Sequence, residues 1–462
     1  SSHNNKEACL LDRVDNIQLV SGRLRDVFEC QQRTYRAHPN PGKHERIINL
    51  ELLEEIILRN ESELIDAMSE DFGHRSRHES TMLDIVSSLA AVRHSRKHVG
   101  GWMSARKVPT PLQLRPSRSF ILPQPLGVIG IITPWNFPAV LVARKVGAAL
   151  AAGCTVVLKA SEFTPYSATV IIKALVEAGL PDGAVNLVFG DPAAVSEQLL
   201  SAPAVKIVSF TGSTHVGKLL AGQAAKNLTR CVFELGGHAP VIVWKDADPE
   251  RVIQITAPAK FGTAGQSCVA PTRYLVHENL HDQIVKGLVA KAESLQIGHG
   301  LEEGTTLGPV AHAGRIKEFN DLIEDAVSKG AVIETGGQQV DRPGFFFKPT
   351  VLSNVPEDAK ILFEEPFGPI ATVQKITSVE QALKHANAAP YAFAAYLFTD
   401  SMRVRSQVVA ELNASNLGIN QTAPSLPDVA LGGLGNSGYG YEGGSEGVLA
   451  YTQLKLINQS AI

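Results

Sequence analysis

Apolar positions over residues 45–71 (Ile47, Leu50, Leu53, Ile56, Ile57, Leu64, Ile65, Met68) recur every three or four residues, and Gly73 follows the run. That period predicts an amphipathic helix. Residues 79–104 continue helically and end near Trp102. The next stretch, VPTPLQLRPSRSFILPQP, has prolines at 109, 111, 116, 123 and 125. It reads as extended chain, in the form of a protruding hairpin, because proline removes a backbone donor and breaks helices. From Leu126 the pattern changes. Short β-rich runs at 126–132, 154–159, 185–189, 206–210 and 231–235 alternate with helical stretches such as 138–152, 165–178 and 215–226. Such alternation predicts an α/β fold with a doubly wound parallel sheet. A second α/β series runs from about 238 to 425, with strands near 241–244, 273–277, 369–376 and 393–398. Two halves of this kind predict two domains with a ligand cleft between them. Residues 426–447 read as glycine-rich turn chain, and YTQLKLIN (451–458) alternates like a final strand.

Composition narrows the function. The chain has 462 residues, 44% of them hydrophobic and 19% charged, enough for two or three domains with a sizeable core. A net charge of −3 gives no basic field for nucleic acid and no polybasic membrane patch. The longest apolar region, 126–158, is interrupted by Pro134, Asn136, Pro138, Arg144 and Lys145, which argues against a membrane span. The N-terminal stretch is polar and does not read as a signal peptide. Five scattered cysteines without a CxxC argue against disulfides and zinc, so no metal is expected. The expectation is a soluble cytoplasmic protein.

Cys268 lies in FGTAGQSCVAPTR (261–273), behind small, turn-forming residues. A thiol on such a loop is a candidate nucleophile, although a lone cysteine also packs as a small apolar residue. Five other segments bear on it. Gly212 and Ser213 in FTGST join a strand to a helix, where free N–H groups favour phosphate and where Ser213 or Thr214 also suits a plain N-cap. Lys159 and Glu162 end the strand CTVVLK, at the edge where open α/β sheets bind ligands; they also fit a solvated charge pair. Trp135 and Asn136 in TPWNFP are held between prolines, and a fixed Asn amide suits an oxyanion. Glu234 ends the strand RCVFEL, where an apolar setting raises a carboxyl pKa and suits a general base; a structural carboxylate is the alternative. The fifth segment is EEPFGP, with Glu365 and Phe367. Two further glycine patterns carry no such chemistry. GxGxxG at 433–438 and GxSxG at 443–447 lack the strand that each motif requires, and they read as turns.

Taken in order, TPWNFP, LKASEFTP, FTGST, FELGG, GQSC and EEPFGP resemble the aldehyde dehydrogenase superfamily, from about residue 45 to the C-terminus. The resemblance implies a variant Rossmann cofactor domain (1–108 and 126–235), an α/β catalytic domain (236–425) and an oligomerisation β-flap (109–125 and 445–462). It implies Cys268 as nucleophile, Glu234 as general base, and Asn136 with the Cys268 backbone N–H as oxyanion donors. Cofactor contacts would come from Thr133, Trp135, Lys159, Glu162, Gly212, Ser213, Glu365 and Phe367. A homodimer or homotetramer acting on a small-molecule aldehyde is expected, with no nucleic-acid or membrane partner. NAD is the expected cofactor, because the Glu162 carboxylate would repel a 2′-phosphate, with NADP as the alternative.

For the aldehyde, PAVLVARKVGAALAAGCTVVLKA resembles the succinate-semialdehyde dehydrogenase branch, in which Arg144 and Ser425 would meet a substrate carboxylate. Against it, Gly262 stands where that branch often has arginine, Ala270 replaces the second cysteine of its CxC pair, and Leu431 and His238 also depart from its pattern. QRTYRAHPNPGKHERI and EDFGHRSRHES instead resemble coniferyl-aldehyde dehydrogenases, making an aromatic aldehyde the second reading. A non-catalytic structural descendant is the remote third.

Overall fold

The computed structural model describes residues 21–73, 75–181, 183–422 and 426–460. Its first sheet has six strands in the order Gly438–Tyr439, Arg230–Glu234, Val205–Thr211, Val128–Ile132, Thr155–Lys159 and Val185–Val188. All pair in parallel except Gly438–Tyr439, which runs antiparallel to Arg230–Glu234. The central strands are buried throughout, so they carry apolar residues on both faces rather than alternating. Helices Pro138–Ala152 and Pro165–Glu177 each start on a proline at the first turn, where its missing N–H costs nothing. A helix at Pro192–Ser201 was not among the predicted ones.

The second sheet has seven strands: Val332–Thr335, Thr350–Ser353, Ile370–Ile376, Pro271–His277, Ala239–Val243, Ala394–Phe398 and Asn416–Ile419. Only the first pair is antiparallel. Separate apolar cores flank the two sheets. A third, three-stranded sheet joins Arg106–Val108, Arg118–Pro125 and Thr452–Gln459. The proline-rich segment is therefore a hairpin, and the C-terminal strand completes it.

Three details differ from the sequence reading. The helix expected over 45–71 is two helices, Lys43–Arg59 and Glu61–Asp71, because Asn60 turns its amide back onto the Ile56 carbonyl at 2.9 Å and closes the first. The helix expected over 79–104 opens with a π segment, Ser80–Ile85, before Val86–Trp102. Cys30 is disulfide-bonded, against the expectation of no disulfides; an odd, scattered set of cysteines does not prevent one pair from meeting in space. Among the described residues no helix is long and apolar enough to cross a membrane, and no three His, Cys, Asp or Glu side chains are grouped to hold a metal ion.

Candidate active site

Ile132 pairs with both Lys159 and Phe210, and Thr211 pairs with Glu234. TPWNFP, KASE, TGST and ELGG therefore leave the first sheet side by side at its carboxyl edge, where ligands of open parallel sheets bind. Cys268 faces this edge from a loop that follows the helix Pro249–Phe261 of the other half.

That loop is strained and firmly held. Thr263, Ala264 and Gly265 are all left-handed, with φ of 51°, 51° and 70°. For the two residues with a Cβ this costs about 1–3 kcal/mol each, so the surroundings must enforce it. Gln266 does part of this. Its Nε2 donates to the Thr263 carbonyl (3.0 Å), and its Oε1 accepts from the Ala311 N–H (2.9 Å). A Cβ on Gly265 would lie 2.1 Å from the Gly368 oxygen, so only glycine lets the loop touch the EEPFGP turn. On the far side, the Tyr396 hydroxyl donates to the Val269 carbonyl at 2.6 Å.

Asn136 is buried, and its Nδ2 donates to the Gln266 carbonyl at 3.1 Å. One amide hydrogen is thus committed to the loop, and the second remains for an oxygen near Cys268. The half-buried Cys268 thiol is pushed up by burial and by the Glu234 and Glu365 charges, while its own backbone N–H and the Arg144 charge pull the other way. The ground-state thiol is therefore protonated, and a base must take its proton.

Glu234 is buried and held above the carboxylate range by desolvation; the charges of Lys145 and Arg144 and the Thr211 hydroxyl oppose this. Thr211 Oγ1 lies 3.3 Å from Glu234 Oε2 and 3.0 Å from Glu442 Oε1. A hydroxyl has one proton, so it cannot donate to two carboxylates at once. The arrangement suits one carboxyl protonated and one ionised. Lys145, buried in the helix Pro138–Ala152, bonds Glu442 and lies 2.9 Å from Ser209 Oγ. Burial lowers its own pKa. Lys145, Thr211 and Glu442 were not singled out from sequence. Lys145 carried a faint signal as a lysine within an apolar helical run; Glu442 carried none.

A cavity of about 410 Å³ runs from Cys268 and Asn136 past Trp135, Glu365 and Phe367 to Gly212 and Ser213. Ser213 caps the helix Thr214–Ala225, accepting from the Val216 N–H at 3.3 Å. The N-cap role and a ligand-facing helix end thus coincide. Glu365 Oε1 accepts from the Gly237 N–H at 3.0 Å, and burial pushes its pKa up to about 7. Phe367 is left-handed (φ 45°) and meets Trp135 edge-on at 5.6 Å. Arg315, also unforeseen, donates to the Pro366 and Phe367 carbonyls and lies over the Phe367 ring. A helix N-terminus, a half-buried carboxyl and two aromatic rings in one cavity that reaches Cys268 fit a dinucleotide such as NAD(P). Thr133, Lys159 and Glu162 lie outside the lining of this cavity. Thr133 N–H donates to the Lys159 carbonyl (3.1 Å), and Lys159 Nζ pairs with the half-exposed Glu162 at 2.6 Å.

Arg144 is half-buried and its charge acts on Glu234, Cys268 and Lys145. Ser425 lies outside the described residues. The GxGxxG pattern has a structural use: Gly438 (φ 97°) pairs with Glu234, and a Cβ there would lie 2.0 Å from the Phe233 oxygen.

The aldehyde dehydrogenase family model matches residues 26–457. A putative 4-(hydroxymethyl)benzenesulfonate dehydrogenase of Comamonas testosteroni is 42% identical over 76% of this chain and 73% of its own length. Succinate-semialdehyde dehydrogenase [NADP(+)] 2 of Schizosaccharomyces pombe is 35% identical over 99% of this chain and 94% of its own. Among solved structures, succinate-semialdehyde dehydrogenase from Burkholderia pseudomallei superposes with a TM-score of 0.90 at 33% identity, covering 95% of this chain and 90% of that one. With the motifs gathered at one sheet edge around Cys268, these likenesses show that the chain belongs to the aldehyde dehydrogenase family, NAD(P)-dependent oxidoreductases that act on aldehydes.

Proposed function

We propose that Cys268, Asn136 and Glu234 carry the reaction, and that the substrate is an aldehyde with a distal anionic group, succinic semialdehyde being the model case. The observation that carries this reading is that the Cys268 loop is tied to the Asn136 amide in the same cavity that ends at Gly212 and Ser213. Ionised Glu234 takes the Cys268 proton through water and passes it to solvent, and the resulting thiolate attacks the carbonyl carbon. Asn136 Nδ2 and the Cys268 backbone N–H meet the oxyanion, and a preorganised donor of this kind is worth about 3–4 kcal/mol. Bound NAD(P) supplies the hydride acceptor. Loss of hydride from the thiohemiacetal leaves a thioester on Sγ. Glu234 takes a proton from water, which attacks the thioester and releases the acid and the thiol.

Gly212 and Ser213 would receive the pyrophosphate, Glu365 and Phe367 the nicotinamide ribose and ring, with Trp135 and Thr133 beside them. Lys159 and Glu162 would hold the adenosine ribose. Glu162, already paired with Lys159, supports NAD over NADP, since a 2′-phosphate would meet a carboxylate.

The Arg144 charge at Cys268 and Glu234 supports an anionic substrate, with Ser425 as its proposed partner. The substrates named for the two relatives carry a carboxylate and a sulfonate. Gly262 supports the aromatic reading, because a Cβ there meets nothing within 4 Å among the described residues. The domain division at 1–108 with 126–235, 236–425, and 109–125 with 445–462 is part of the proposal, as are a cytoplasmic location and a homodimer or homotetramer. Exposed Leu454 and Leu456 on the Thr452–Gln459 strand support the oligomer. The test is NADH formation by wild-type and Cys268→Ser protein with succinic semialdehyde, benzaldehyde and coniferaldehyde. An active Cys268→Ser protein would overturn the thiol mechanism.

A further inference from the structure

The π segment Ser80–Ile85 and the residue before it touch both arms of the site, although they lie more than 50 residues from Asn136 and 180 from Cys268 in sequence. Glu79 Oε1 accepts the Thr263 N–H at 2.7 Å. Thr263 is the first of the three left-handed residues that lead into Gln266 and Cys268, and its hydroxyl is buried with no partner among the described residues. Glu79 supplies a side-chain acceptor for the amide of this strained residue. Five residues on, the fully buried Asp84 accepts the Ala139 and Val140 N–H groups at 3.1 and 2.9 Å through Oδ1, and pairs with buried Arg75 at 2.7 Å through Oδ2. Those amides open the helix that follows Asn136, and the N-cap residue, Phe137, has no side chain able to cap it. One turn of widened helix thus holds the thiol loop with one carboxylate and the oxyanion donor's helix with the other. π segments are rare and recur at functional sites, because the extra residue redirects side chains.

From this geometry we propose that Glu79 and Asp84 are positioning residues. They fix the distance between Cys268 and Asn136, which the Asn136–Gln266 hydrogen bond alone would leave to the strained loop. The inference rests on the reading of Cys268 as nucleophile and Asn136 as oxyanion donor. Glu79 is the residue to test, since it is half-buried and its replacement spares the core. Glu79→Leu removes the acceptor; Glu79→Gln keeps one. The readouts are single-turnover NADH formation, the fraction of Cys268 titrated by iodoacetamide, and the thermal midpoint. Glu79→Leu is expected to slow single turnover roughly tenfold or more, as for other charge-assisted bonds at reacting geometry. The titratable fraction and the KM for NAD should stay unchanged, the midpoint should fall by no more than about 4 °C, as for one lost hydrogen bond, and Glu79→Gln should recover most of the rate. The brace is wrong if Glu79→Leu turns over within twofold of wild type, if Glu79→Gln is as slow as Glu79→Leu, or if the loss is matched by a loss of titratable thiol. Cys268→Ser run alongside separates the two claims. An active Cys268→Ser protein sinks the thiol reading, whereas an inactive one with a wild-type-like Glu79→Leu sinks the brace alone.

Discussion

Asn136 Nδ2 lies 3.1 Å from the carbonyl oxygen of Gln266, two residues before Cys268 on the loop of the other half of the molecule. This bond sets the donor against the thiol before any substrate arrives. Asn136→Ala should therefore lower kcat by roughly a hundredfold to a thousandfold, the usual loss for one oxyanion donor. KM for NAD should hardly move, because Asn136 makes no proposed cofactor contact. Steady-state kinetics check both numbers.

The pH profile should depend on Lys145. Burial raises the Glu234 pKa, and the Lys145 charge lowers it. Removing that charge in Lys145→Met lets the Glu234 pKa rise further. Glu234 acts as a base only when ionised, so the acidic limb of the kcat profile should move to higher pH. The basic limb should lose any contribution from Lys145 itself. A profile from pH 5 to 10 on both proteins decides this, and an acidic limb moving to lower pH would reverse the assigned role.

Much of the candidate site was legible because its residues sit beside glycines and prolines at the ends of strongly apolar strands. Lys159 and Glu234 end such continuous apolar runs, and Asn136 and Gly212 closely follow them. The tertiary partners were not legible. Lys145 and Glu442 meet across 297 residues, and no local pattern marks such a pair. Short exposed edge strands such as Val332–Thr335 also escaped, because their side chains carry no buried face to read. Asn60 hid a helix break, since the apolar period continues through it.

Gly438 lies in the GxGxxG pattern that reads as a turn, and its backbone lies against Phe233 and pairs with Glu234. A methyl group cannot fit 2.0 Å from a carbonyl oxygen, and φ of 97° is closed to alanine. Gly438→Ala should cost roughly 1–3 kcal/mol of stability or push the strand away from Glu234. Denaturant unfolding and thioester hydrolysis, measured together, should both be impaired.

Leu454 and Leu456 are 58% and 70% exposed on the outer strand of the three-stranded sheet, whose far edge pairs with no other strand among the described residues. An unprotected apolar edge of this kind is normally covered by a partner. Leu454→Asp with Leu456→Asp should convert the proposed oligomer to monomer, read by light scattering after gel filtration. An unchanged mass would place the interface elsewhere.

Gly262 and Arg144 give opposite leads on the aldehyde, and one substitution weighs them. Gly262 has φ of −54°, which any residue adopts, and a Cβ there meets nothing within 4 Å among the described residues. Gly262→Arg should fold normally. Under the anionic-substrate reading it adds a second guanidinium for a distal carboxylate, and a charge-assisted bond of this kind is worth about 1.5–3 kcal/mol. The KM for succinic semialdehyde should fall about tenfold, while benzaldehyde, with no anion and less room, should turn over more slowly. In the complementary Arg144→Leu protein, KM for succinic semialdehyde should rise by a similar factor and that for benzaldehyde should stay near wild type. If Arg144→Leu left the two substrates in their original ratio, the carboxylate clamp would be lost as an explanation, and the room at Gly262 would point to an aromatic aldehyde.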